Sequence, residues 1–110
     1  LKALAVTTLQ RSAAMPDLPT VAEAGADLGL AGFDIHTWFG LFGPARLPAD
    51  VTTRLNKAFV DALGTPELKA RMAALMAQAA PSSTEQFAAF VRAELGKYET
   101  VVKASGARAD

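Results

Sequence analysis

The stretch between Pro19 and Pro44 constrains the fold of this chain more than any other. It opens Thr20-Val21-Ala22-Glu23-Ala24-Gly25. A threonine followed three residues later by a glutamate has the spacing of a capping box, in which each side chain satisfies the other residue's backbone N–H. Gly25 offers a left-handed stop, so a small helix is expected here. Residues 26–32 form a glycine-containing connection. Residues 33–43 then gather Ile35, Thr37, Trp38, Phe39 and Phe42. That is β-branched and aromatic chemistry with weak alternation, the pattern of a mostly buried strand. Pro44 and Pro48 bracket its exit.

A second strand is expected at residues 1–7, which are short and almost continuously apolar, as in a parallel sheet covered on both faces. Residues 8–19 are polar, hold two prolines and read as a loop. The remainder is helical. Pro48 fits the first turn of a helix reaching about Leu63, with Val51, Leu55, Phe59, Ala62 and Leu63 on one stripe. Gly64 ends it. Thr65 caps the next helix and Pro66 takes its first position, with Leu68, Met72, Leu75 and Met76 apolar. Residues 78–80 read as a short strand or as plain extended chain. Ser83 and Gln86 form a second capping box, and the last helix runs to about Ala104 with Glu99 and Lys103 paired on its outer side. Gly106 ends it. Buried strands beside one-faced helices predict an α/β fold with few parallel or mixed strands and several packed helices. Two strands make a poor sheet, so the missing strands are expected from outside these residues.

Composition narrows the function classes. Eleven basic and eleven acidic residues cancel and no basic stripe stands out, so no nucleic-acid partner is expected. Cysteine is absent, which removes disulfides, thiol nucleophiles and thiolate metal sites. No apolar run approaches the length of a membrane span. The chain opens on Leu1 without an initiator methionine or a leader, and it reads as a piece of a longer protein.

Candidates for chemistry are few. His36 is the single histidine, and Asp34 is the one carboxylate close to it in sequence. The two share a strand face as a split acid–base or metal site, or His36 packs at a strand edge. Ser12, Ser82, Ser83 and Ser105 lie in no nucleophile elbow, and Ser83 is explained as a cap. No phosphate-binding glycine motif is present. Enzymatic function is therefore not expected, and neither is a cofactor or a metal. Trp38 and Phe39 fill space between sheet and helices, or they stand near a strand end, where ligands of open sheets bind. Thr7 and Thr8 begin a loop, or they donate hydrogen bonds to a carboxylate ligand. Arg11 neutralises an anion or is simply solvated.

The motifs Lys2-Ala3-Leu4-Ala5-Val6-Thr7, Arg11-Ser12, Leu18 to Gly25, Phe33 to Ala45, Arg54-Leu55-Asn56 and Ser83-Thr84-Glu85-Gln86-Phe87 give the chain a family resemblance. It resembles the C-terminal part of the Bug, or TctC-like, solute-binding proteins of tripartite tricarboxylate transporters. The Pro-Thr-Val-Ala-Glu turn followed by Trp-Phe-Gly-Leu-Phe is the specific combination; the helices alone would carry little.

The resemblance implies a periplasmic, two-lobed binding protein that closes on a small carboxylated ligand and works with membrane transporter subunits. Carried onto this chain, it implies three parts. Residues 1–32 would end the second lobe, residues 33–47 would be the crossing strand and hinge, and residues 48–110 would be the helical part of the first lobe. Thr7, Thr8, Trp38 and Phe39 become the ligand-binding candidates. A piece of such a protein is expected to expose apolar edges and to dimerise or swap elements. The alternative is an interaction or assembly domain of the same fold that has lost transport. Two departures from the family pattern stand out: a long connection at residues 26–32, and Arg46-Leu47 in place of the more usual Gly-Thr before Pro48.

Overall fold

The computed structural model describes residues 1–108. About half of the chain is helical. The elements are α1 (Val21–Ala24), a 3-10 turn (Ala26–Leu28), α2 (Ala49–Gly64), α3 (Pro66–Ala74) and α4 (Thr84–Ser105). The chain divides into two compact units, one spanning Leu1–Gly43 and one beginning at Pro44.

The expected α/β architecture is not present. Among the described residues there is no sheet, and the strand content reduces to one isolated parallel bridge between Val6 and Thr20. Two hydrogen bonds define it, Val6 N–H to the Pro19 carbonyl and Val21 N–H to the Val6 carbonyl, each 2.9 Å. Residues 33–43 form no regular element and make no ladder; their backbone link to the first segment is a bond from Ile35 N–H to the Thr7 carbonyl at 3.0 Å. The physical reason is that β-branched and aromatic residues fit a pleated, half-buried surface without creating one. A strand exists through its partners, and two short extended segments without a third are marginal. Residues 78–80 likewise form no strand.

In the first unit the capping box forms as the spacing requires. Thr20 Oγ1 accepts from Glu23 N–H at 3.0 Å, and Glu23 Oε2 accepts from Thr20 N–H at 2.8 Å. Gly25 closes α1, though not by a left-handed turn: its φ is −113°, and the left-handed residue is Gly29 at φ 77°. Space at Gly25 is tight instead. A Cβ there would stand 2.7 Å from Leu30 Cδ1 and 3.0 Å from the Val21 carbonyl oxygen.

In the second unit side-chain caps start α3 and α4. Pro48 stands just before α2 as its N-cap residue, and Gly64 is the last residue of α2 rather than its stop. Thr65 accepts from Leu68 N–H at 3.4 Å with Pro66 at the first helical position of α3. Ser83 and Gln86 exchange bonds of 3.2 and 2.9 Å at the start of α4, and left-handed Gly106 ends it at φ 67°. Asn56 on α2 donates to the Ser82 carbonyl at 2.9 Å, tying α2 to the entry of α4. Exposed i,i+4 ion pairs decorate all three helices: Lys57–Asp61, Arg71–Glu67 and Lys103–Glu99. Each contributes a few tenths of a kcal/mol at most.

Burial is shallow. Among the described residues Ala22 is the one buried hydrophobic side chain, beside the buried polar residues Thr20 and Glu94. The expected stripe of α2 is only half covered, with Leu55 and Phe59 exposed, and Leu75, Met76 and Leu95 are more exposed still. The helices therefore owe their definition to caps and side-chain pairs more than to a deep core. No helix among the described residues is long and apolar enough to cross a membrane.

Candidate functional site

The first unit brings together four of the residues singled out by sequence. The bridge at Val6 fixes the chain just before Thr7 and Thr8. The Thr7 carbonyl then takes the Ile35 amide, and two residues further on Leu9 N–H donates to Asp34 Oδ1 at 3.1 Å. These two bonds pin Asp34 and Ile35 against residues 7–9. Asp34 Oδ1 also stands 3.1 Å from His36 Nδ1. The Asp34 and His36 side chains are each about one-third exposed, 32% and 31%. Thr7, Thr8, Asp34 and His36 thus form one cluster, although 28 residues separate Thr7 from Ile35 in the chain.

The threonines differ in what they can offer. Thr8 Oγ1 donates to the Gln10 carbonyl at 2.6 Å, so its proton serves a local turn and the hydroxyl can offer only its lone pairs. Thr7 is exposed, and its hydroxyl makes no hydrogen bond among the described residues. Trp38 is half-buried, whereas Phe39 is 93% exposed, which removes the reading of Phe39 as core filling. Residues 33–36 and Trp38 are half-buried, while Thr37 and Phe39 are open.

Arg11 is exposed but also ion-paired. Its Nε donates to Glu23 Oε2 at 2.9 Å and Oε1 at 3.2 Å, and Nη1 reaches the Pro16 carbonyl at 3.3 Å. The Glu23 carboxyl is held below its ordinary value, first by the Thr20 backbone N–H and then by the Arg11 guanidinium. The charge that was a candidate anion ligand is therefore already engaged. No group of three or more His, Asp or Glu residues gathers among the described residues in a way that would hold a metal ion.

Sequence reasoning did not find two contacts here, Leu9 to Asp34 and Arg11 to Glu23. Both bridge segments 12 or more residues apart, and neither has a spacing signature. The nearest signal was compositional: an aspartate entering an extended run favours accepting backbone N–H bonds from a neighbouring turn.

The model of the tripartite tricarboxylate transporter family receptor, TctC, matches residues 1–107. The chain belongs to the TctC receptor family. It is 33% identical over 101 residues to a UPF0065 protein in the tcbD-tcbE intergenic region of Pseudomonas sp. strain P51, covering 92% of this chain and 29% of that relative. It is 40% identical over 78 residues to the UPF0065 protein in the clcB-clcD intergenic region of Pseudomonas knackmussii, covering 71% of this chain and 44% of that protein. Protein BugT of Bordetella pertussis matches at 29% identity over 108 residues, 98% of this chain and 32% of BugT. This TctC-family chain thus spans less than half the length of each of these relatives. No solved structure matches it.

Proposed function

We propose that this chain is the part of a periplasmic, extracytoplasmic receptor that helps capture a small carboxylated metabolite and present it to the membrane subunits of a tripartite tricarboxylate transporter. The match to the TctC receptor family over residues 1–107 carries this reading. Such a receptor needs no catalytic group and no cofactor. In this reading Thr7, Thr8, Trp38 and Phe39 face the ligand. The clustering of Thr7 and Thr8 with Asp34 and His36, and the open ring of Phe39, support that placement. In the same reading residues 1–32 end one lobe, residues 33–47 cross to the other, and residues 48–110 belong to it; that the second compact unit begins at Pro44 supports grouping the three long helices together.

The test is a nuclear magnetic resonance titration of the chain with succinate, citrate, glutamate and benzoate at millimolar concentration. Shifts in the amides of residues 6–9 and 34–39 are expected with at least one of them. A receptor ligand at about a hundred times its Kd also adds about 2.7 kcal/mol of stability. The exposed apolar side chains support a second reading, an assembly domain whose partner is another copy of the chain. Concentration-dependent self-association with no response to any carboxylate would select that reading and sink the first.

A further inference from the structure

The Asp34–His36 pair is built to present one atom. An ionised carboxylate only accepts, and Asp34 Oδ1 already accepts from Leu9 N–H. The proton in the 3.1 Å contact between Asp34 Oδ1 and His36 Nδ1 therefore belongs to the imidazole. That assigns the ring its tautomer and leaves Nε2 for whatever else the ring touches. The backbone bond from Ile35 to Thr7 and the Leu9 bond to Asp34 anchor the pair to residues 7–9, so the ring is oriented before any ligand arrives. It lies in the cluster with Thr7 and Thr8, and its side chain remains about one-third exposed.

We propose that His36 is a ligand contact of this receptor: Nε2 donates a hydrogen bond to a carboxylate oxygen of the solute, and Asp34 is its positioning residue. The proposal rests on the carboxylate-receptor reading and adds the residue that senses the ligand's charge. A carboxylate accepts from Nε2 only if Nε2 carries a proton, and Nδ1 already carries one. The bound ring is therefore the imidazolium, held between two carboxylates. Binding to a neutral ring takes up one proton from solvent, and affinity falls as pH rises. The charged group facing the ring is Asp34; the segment packed against the pair, residues 7–9, brings two threonines and a leucine and no titratable side chain.

His36 is the only histidine in the chain, so its ring gives a single, unambiguous set of imidazole resonances. The experiment titrates the 15N-labelled chain with succinate between about pH 5 and about pH 8, where imidazoles change charge. Both ring nitrogens of His36 are expected to move toward imidazolium values on binding. Succinate affinity is expected to weaken by up to about tenfold per pH unit at the upper end of the range, the slope for one linked proton. His36→Gln keeps a neutral donor, so it should weaken binding and flatten that slope. Asp34→Asn should release the tautomer, with the ring signals showing a mixture of the two neutral forms. Succinate binding with unmoved His36 ring signals, or with the same pH slope in wild type and His36→Gln, overturns the proposal and leaves the receptor reading standing. Absence of binding by every carboxylate tried overturns both.

Discussion

Replacing Lys97 with methionine tests whether α4 holds a charge out of water. Glu94 is 5% exposed at the middle of α4, and its Oε1 is 2.5 Å from Lys97 Nζ. Its other oxygen, Oε2, is buried without a hydrogen-bond partner. Lys97 is less enclosed, with 30% of its side chain exposed, and its Nζ lies 6.0 Å from the Tyr98 ring centroid. The two partners are therefore unequal. Removing one side of a buried ion pair costs about 3–5 kcal/mol when the remaining charge is stranded. Solvent access at Lys97 reduces the attraction lost, so Lys97→Met is expected to cost about 2–3 kcal/mol. Glu94→Gln strands nothing, since Lys97 can turn to water, and should cost no more than about 1 kcal/mol. The double variant should lie near Glu94→Gln, because the stranded carboxylate is gone; the coupling read from the cycle is about 2 kcal/mol. Urea unfolding followed by far-ultraviolet circular dichroism reads all four proteins. Equal costs for the two single variants, or a double variant as unstable as Lys97→Met, would refute the reasoning and reduce the pair to an ordinary surface contact.

Other outcomes follow from local geometry. Arg46 sits at φ 65°, a left-handed conformation that costs a side-chain-bearing residue about 1–2 kcal/mol. Arg46→Gly should therefore stabilise the second unit by about 0.5–1 kcal/mol after the entropy of glycine is subtracted, read as a raised unfolding midpoint. Ser83→Ala removes the capping box of α4 and should cost about 1 kcal/mol, whereas Ser83→Gly should cost only a few tenths. Glu23 has a depressed folded-state value, so its contribution to stability is complete above the ordinary carboxylate value of 4.5 and is lost as pH falls through the folded value. The Thr20 amide resonance should report that loss on acidification, and Glu23→Gln should abolish the acid-side transition.

What was legible in the sequence was whatever a few adjacent residues decide. Both capping boxes, the Thr65-Pro66 helix start, the Gly106 stop and the Glu99–Lys103 pair need no information from elsewhere in the chain, and all are present. The strands at residues 1–7 and 33–43 were misread because their composition describes a surface that only partners can supply. The family was legible because its most specific motif, residues 19–44, lies wholly within the chain. Arg46 was visible as a residue, but its left-handed backbone, at φ 65°, was not. The candidate site was half legible. Thr7, Thr8 and His36 were visible as residue types, but the Leu9–Asp34 bond that gathers them spans 25 residues, and no periodicity encodes it.

The bridge between Val6 and Thr20 also sets an order of events. It closes a loop of 14 residues, whereas the Ile35–Thr7 bond closes one of 28. Once the shorter loop is shut, the longer is cut to roughly half its length, and each halving lowers the closure cost by about 0.6 kcal/mol. The Asp34–His36 pair should thus be assembled second and come apart first. Hydrogen exchange should find the Ile35 amide opening more readily than that of Val6 or Val21. A substitution at Thr20, 14 residues before Asp34 in the chain, should loosen both Asp34 and His36.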